Sequence, residues 1–250
     1  MATHRLQLQH NLRQFFCRYR ATALRLADLM VLAELAAHIA AAEEEINRLW
    51  ERFLEGGSIL MPLDSYDWSR KYGWLSDRYG VNWQLSFGGS EDLSQKISPV
   101  LMFTGNQSGK AEQAINFYTS VFKNSKIKGI VRYSKGDHDV EGTVKHAQFI
   151  LDNKVLMCMD SSYPHKFGFN EAVSIVVECD TQEEIDYFWD KLTEGGEEVQ
   201  CGWLKDRYGV SWQIVPEILG KLMSDPSRAD SVTKAFLKMK KFDIEKLLKA

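Results

Sequence analysis

A chain of 250 residues folds as one large domain or as two ordinary ones, and either buries an adequate core. Its apolar content of 44%, charged content of 26% and net charge of −3 are those of an ordinary globular protein; they leave no basic excess for nucleic-acid phosphates or an anionic membrane surface. There is no run of about 18 apolar residues, so no membrane span is expected.

The first 27 residues carry Arg5, Arg13, Arg18, Arg20 and Arg25 and no acidic residue. An organelle transit peptide is basic in this way but rich in serine, which is absent here, so a plain basic helix is the expectation. From Ala21 to Ala42 the chain is dominated by Ala and Leu, a composition that predicts helix. Cys17, Cys158, Cys179 and Cys201 are scattered, with no C-x-x-C and no Cys/His cluster, which argues for neither zinc nor a disulfide framework and makes a reducing cytoplasm the expected setting.

Near Glu43 the organisation changes. "EINRLWERFLEGG" at 45–57 matches "EIDYFWDKLTEGG" at 184–196 at Glu, Ile, Trp and the closing Glu-Gly-Gly, and both predict amphipathic helices stopped by a glycine. "GWLSDRYGVNWQ" at 73–84 returns as "GWLKDRYGVSWQ" at 202–213 with ten of twelve residues identical. Each copy reads as strand, tight turn, strand, with Asp, Arg, Tyr and Gly building the turn. The spacer before the motif is 15 residues in the first copy (58–72) and five in the second (197–201), as expected of a hairpin whose length varies within a fixed frame.

Between the copies, "ISPVLMF" predicts a strand and "KAEQAINFYTSVF" a helix; "KIKGIVRYS", "TVKHAQFIL" and "KVLMCMD" predict three more strands, and "AVSIVVEC" another before the helix at 181–193. The span 97–216 is therefore βαβββ followed by βαβββ. Beyond Pro216 the Lys-rich tail predicts helix with a break at Asp225-Pro226, its Val232, Phe236, Leu237 and Met239 packing on the sheet.

These paired modules, with "AEQAINFYTSVF", "VKHAQFILDNKVLMCMD" and "GWLKDRYGVSWQIVP" in order, resemble the vicinal oxygen chelate superfamily. Within it the chain is similar to the PhnB-like group, often labelled 3-demethylubiquinone-9 3-methyltransferase-like. The resemblance implies an α+β fold: paired βαβββ modules forming a curved mixed sheet, with helical N-terminal and C-terminal extensions. It divides the chain into a helical segment at 1–42, a partial domain at 43–90 corresponding to the back half of a βαβββ module, a complete two-module domain at 97–220 and a helical tail at 221–250.

The same resemblance implies a cup between the two modules that holds a small molecule. Metal-using members place His or Gln on the first strand and Glu on the last strand of each module, a set suited to chelating two vicinal oxygens. Here the first-strand position falls at about Ser98, the last-strand position of the second module at Gln213, and the matching strand of the first module offers only Met, Cys and Asp160. That donor set disfavours a divalent metal, and no other cofactor is implied.

His146 is the strongest titratable candidate. It shares a strand face with Gln148 and Ile150; on a cup wall it would serve as general base or hold a substrate oxygen, against the plainer reading of a histidine with a structural hydrogen bond. Phe103, Met157, Met159 and Trp203 are candidates to line a pocket for a ring-bearing ligand, against the alternative that they are core; Gln148 and Gln213 are candidate polar contacts. His138 and His165 fall in polar loops and read as solvated. "GNQSGKA" at 105–111 imitates a phosphate loop but is one residue short and has Ala111 where Ser or Thr must meet magnesium. No strand leads into a glycine-rich nucleotide loop, so methyl transfer finds no support. The sequence leaves three readings open: a metal-independent or metal-dependent enzyme of the superfamily, a sequestering binder, or an interaction module that forms a homodimer.

Overall fold

The computed structural model describes residues 22–25 and 35–40 by their backbone, and residues 43–87 and 95–250 in full. They divide into two compact units, one within Val31–Gly168 and one combining Met1–Met30 with Phe169–Ala250. Of the basic stretch 1–27, residues 1–21 and 26–27 lie outside the described residues.

In Val31–Gly168, Glu43, Glu44 and Glu45 open helix α1 (Glu43–Leu54) and Arg52 closes it, each charge complementing the helix dipole. Ile46 and Trp50, four residues apart, bury one stripe of α1 against Leu75, Val81, Trp83 and Leu85. Gly56 turns the chain at φ +74, and at Gly57 a Cβ would stand 2.3 Å from the carbonyl oxygen of Ser76, so the Glu-Gly-Gly stop is a steric requirement. Strands β3 (Ser58–Tyr66), β4 (Ser69–Ser76) and β5 (Asn82–Phe87) follow. The next module runs β6 (Ile97–Phe103), α2 (Ala111–Val121), β7 (Lys126–Arg132), β8 (Val144–Leu151) and β9 (Lys154–Asp160). Asp152 and Asn153, at φ 43 and 64, make the two-residue β8–β9 turn.

Two further strands, β1 (Thr22–Arg25) and β2 (Leu35–Ala40), occupy parts of the stretch where composition predicts helix. Ala and Leu favour helix only weakly, and β2 has a sheet on both sides: it pairs parallel with β5 and antiparallel with β6. Two hydrogen-bonded ladders outweigh a propensity of a few tenths of a kcal/mol per residue. With β2 as first strand, 35–87 is a whole βαβββ module rather than a back half. The eight strands run β3-β4-β5-β2-β6-β9-β8-β7. The module 97–160 therefore shares its sheet with 35–87, whereas the sequence alone pairs it with the module that follows.

That following module stands in the other unit: β10 (Val173–Cys179), α3 (Gln182–Thr193), β11 (Glu197–Glu198), β12 (Trp203–Lys205) and β13 (Ser211–Pro216), in a sheet ordered β1-β10-β13-β12-β11. Thr181 caps α3, its hydroxyl accepting from the amide of Glu184 at 3.2 Å. The tail forms three short helices, α4 (Ile218–Ser224), α5 (Ala229–Phe236) and α6 (Ile244–Lys249), with Pro226 in the gap after α4. Val232 and Phe236 are buried, but Leu237 is 38% exposed. The tail is bound to the module at Gly202, whose amide donates to the Lys240 carbonyl at 2.7 Å and where a Cβ would stand 2.4 Å from Phe242.

The repeated motif has the same atomic arrangement in both units. Asp77 Oδ1 accepts from the amides of Tyr79 and Val81, each at 2.9 Å, and Oδ2 from Trp83 Nε1 at 3.1 Å. Asp206 Oδ1 accepts from Tyr208 and Val210 at 2.8 and 3.1 Å, and Oδ2 from Trp212 Nε1 at 2.8 Å. Gly80 and Gly209 sit at φ +83 and +89. Arg78 pairs with Glu55 and Arg207 with Glu194, joining each turn to the end of its helix. Asp, Arg, Gly and Trp are thus a structural set, whereas the Tyr79 side chain is exposed and that of Tyr208 is buried. Asp206→Ala strands three donors, one of them on the fully buried Trp212, and lowers stability by ~2–4 kcal/mol in urea unfolding. Asp77→Ala costs less, because Trp83 keeps 8% exposure.

Candidate functional site

Alternation along the strands of Val31–Gly168 sorts side chains onto two faces. On β6, Pro99, Leu101 and Phe103 alternate with Ser98, Val100 and Met102; Val100 pairs with Met157 and Met102 with Met159 on β9. Met157 in turn lies opposite Gln148 on β8. Val100, Met102 and Met157 form one cluster, against which Trp74, Met159 and Phe167 pack. Trp74 pairs across β4–β5 with Gln84, whose Nε2 touches Met159 Sδ at 3.6 Å. This second face, opposite the one that packs on α1 and α2, is a wall of thioethers and aromatic rings with a few neutral polar groups.

The loop after β9 completes it. His165 lies 4.9 Å from Phe167 and 6.1 Å from Trp74, ring centre to ring centre, and its Nε2 is 2.9 Å from Ser161 Oγ. Thr104 Oγ1 donates to the Phe167 carbonyl at 3.1 Å. His165 is therefore half-buried among aromatic rings rather than solvated; no spacing in the sequence signals it, because an irregular loop brings it there. Trp74 Nε1 is buried with no hydrogen-bond partner. An uncompensated buried donor costs about 1–3 kcal/mol.

The imidazoles and phenols around the wall are held in their uncharged forms, while the Asp139 carboxylate beside them, hydrogen-bonded to Ser162, is held below the usual carboxylate range. Burial lowers the pKa of His165, with Asp139 opposing, and protein mass around His146 lowers its pKa although the ring remains solvent-exposed. Burial, reinforced by Tyr66 and Tyr133, pushes the Tyr72 phenol well up, and burial followed by the Asp139, Asp160 and Asp137 charges pushes Tyr133 up to about 12. Near pH 7 these imidazoles and phenols are neutral and the charge beside them is that of Asp139.

The sequence candidates separate into three groups. Met157, Met159, Gln148 and His146 stand on strands of this wall, with His146 toward the outer β7–β8 edge opposite Val131, itself 57% exposed. Phe103 does not: it pairs with Asp160 on the helix-covered face and is fully buried, because its position is one residue out of phase with Met102. Gln213 and Trp203 pair with each other in the other unit, where Gln213 Nε2 donates to Ser174 Oγ at 2.8 Å. Within Val31–Gly168 the corresponding glutamine is Gln84, and with Trp74 it is what sequence reasoning passed over by treating its module as incomplete.

The donors do not fit a divalent metal. Asp160 Oδ1 accepts from the amides of Gly109 and Ala111 at 2.8 and 3.1 Å, and Oδ2 from Val144 at 2.9 Å. It anchors the start of α2, and burial outweighs those donors to raise its pKa. Ser98 is engaged by Gln95 at 3.2 Å. Gln84 and thioethers remain, and among the described residues no three His, Cys, Asp or Glu converge. The Gly109 and Ala111 amides are also the ones a phosphate would need in the 105–111 loop.

Two segments, 35–86 and 95–215, match the family model described as 3-demethylubiquinone-9 3-methyltransferase. The chain belongs to this family. The family match begins at 35, where β2 begins. The PhnB protein from Bacillus cereus, which carries the same label, is 45% identical over 49% of this chain and 99% of its own, with a TM-score of 0.46. A Pseudomonas aeruginosa protein is 18% identical over 48% of this chain and 97% of its own, TM-score 0.41. Glyoxalase I from Zea mays is 13% identical over 76% of this chain and 70% of its own, TM-score 0.47. No curated protein matches the chain. Among the described residues no helix is long and apolar enough to cross a membrane.

Because folding holds His146 and His165 less basic than in the unfolded chain, their contribution to stability is full above ~6.5 and is lost as pH falls below that value, where the unfolded state takes up protons first. NMR titration of the two imidazoles should give midpoints below ~6.5. A midpoint above that for His165 would mean that Asp139 overrides burial.

Proposed function

We propose that this wall of Val31–Gly168 binds a small, uncharged, ring-bearing molecule with a hydrogen-bond acceptor, without a resident metal. The observation that carries this reading is the buried, unpartnered Trp74 Nε1 beside Met102, Met157, Met159 and Phe167. A ligand oxygen reaching that indole satisfies it, while thioethers and rings supply the contact area. An anionic ligand would find neither phenol nor imidazole charged to receive it and would face the Asp139 carboxylate beside His165. Gln84, bonded only to a thioether through Nε2, is placed to give the second polar contact.

The family's label names methyl transfer, and the residues here offer that chemistry no cofactor cradle. An enzyme reading rests on His146, kept neutral and so able to accept a proton near pH 7. Its exposed place at the sheet edge favours the binding reading, in which it is peripheral. The setting is taken to be the cytoplasm, consistent with the three buried thiols Cys158, Cys179 and Cys201.

Thermal-shift screening with neutral aryl ketones and phenols, set against matched benzoates and anilinium compounds, should select the neutral set. In Trp74→Phe the affinity for a selected aryl ketone falls about 5–10-fold, while stability holds or rises because the orphaned donor is gone. Loss of stability with unchanged affinity would overturn the assignment. His146→Ala should leave that affinity intact.

A further inference from the structure

The loop 161–167 is fastened to its surroundings along its length. The Ser161 amide donates to the Phe103 carbonyl at 2.9 Å, the Ser162 amide to Asp139 Oδ2 at 3.0 Å, the Tyr163 hydroxyl to the His138 carbonyl at 3.0 Å, and Thr104 Oγ1 to the Phe167 carbonyl at 3.1 Å. Inside the loop the His165 amide donates to the Tyr163 carbonyl at 2.8 Å. His165 is therefore carried by backbone held on both sides, with its ring beside those of Trp74 and Phe167. A side chain placed in this way needs little further ordering to meet a ligand.

The hydrogen bonds around Ser161 decide which nitrogen of that imidazole carries the proton. Burial works against the Asp139 carboxylate, but the hydroxyls of Ser162 and Ser161 and the amides of Val140 and Ser162 outweigh it and hold the carboxyl below its ordinary range. An ionised carboxylate only accepts, so the single Ser161 hydroxyl proton goes to Asp139. The Ser161 oxygen is left to accept, from the Tyr163 amide at 3.4 Å and from His165 Nε2 at 2.9 Å. Nε2 thus carries the proton and Nδ1 the lone pair. Burial, with Asp139 opposing, keeps this imidazole neutral, and among the described residues Nδ1 has no partner.

Trp74 is the opposite case. Its Nε1–H can only donate, is buried and has no partner. The Trp74 and His165 ring centres are 6.1 Å apart, and Phe167 and Met159 pack with Trp74 against Met102 and Met157. An unused donor and an unused acceptor therefore stand on neighbouring rings at one edge of an apolar wall.

We infer that this pair selects aromatic lactams: Trp74 Nε1 donates to the amide carbonyl, His165 Nδ1 accepts from the amide N–H, and the fused ring rests on the thioethers. A cis amide carries its acceptor and its donor on adjoining atoms of a single edge, which is what two neighbouring groups of opposite character call for. The inference rests on the reading of this wall as a ligand site and narrows it from rings that bear an acceptor to rings that bear both. Asp139 acts through Ser161 on the imidazole and is a positioning residue.

Above ~6.5, where the imidazole is neutral, proton–nitrogen NMR correlation spectra of the full chain should show His165 protonated at Nε2 and bare at Nδ1. Asp139→Ala should shift the population toward protonated Nδ1, because the freed Ser161 hydroxyl then donates to Nε2. Calorimetry with isoindolinone and N-methylisoindolinone should show the unsubstituted lactam bound about 5–10-fold more tightly. His165→Phe should remove that preference and keep the affinity for the N-methyl compound, whereas Trp74→Phe should weaken both. A wild-type imidazole protonated at Nδ1, or equal affinities for the two lactams, would overturn the inference. If acetophenone binds and isoindolinone does not, the inference fails while the wall remains a ligand site; if neither binds, both readings fail.

Discussion

The antiparallel ladder between β2 and β6 is the contact on which the rest of Val31–Gly168 depends. A βαβββ module has a helix on one face and nothing on the other, so its curved sheet leaves its concave face in water until a second module extends it. Joining the first strands of 35–87 and 97–160 brings Trp74 and Gln84 from one module against Met102, Met157 and Met159 of the other. Neither half has this wall alone. The two modules also meet at central strands, so the outer edges can be left to charged or interrupted strands that resist further pairing.

A second constraint recurs inside each module. One aspartate holds a hairpin by two backbone amides and one indole, and a glycine pair lets the preceding helix end against the same hairpin. Asp160 does comparable work for α2, using both carboxylate oxygens on three amides. Asp77, Asp160 and Asp206 are thus committed to the backbone and to indole donors.

Much of this was legible in the sequence. Ten identities in twelve residues mark the repeat, and period-two alternation puts His146 and Gln148 on one strand face. Phe103 failed the same rule because it lies an odd number of positions from Met102 on the strand. The partition into units was hidden for a different reason. Ala and Leu at 35–40 carry a helical preference worth a few tenths of a kcal/mol per residue, and only the two neighbouring strands override it. Without β2 as its first strand, 43–90 reads as incomplete in the sequence. His165 and Trp74 were beyond reach, since one is delivered by an irregular loop and the other is distinguished only by a missing hydrogen bond.

Which module partners 97–160 is settled most directly by paired cysteines. The β2–β6 register places Leu35 opposite Val100; were β10 to take the place of β2 within the chain, Ser174 would stand there instead. Leu35→Cys/Val100→Cys should therefore form an intramolecular disulfide under mild oxidation, while Ser174→Cys/Val100→Cys should stay reduced. Linkage in the second variant and not the first would contradict the account.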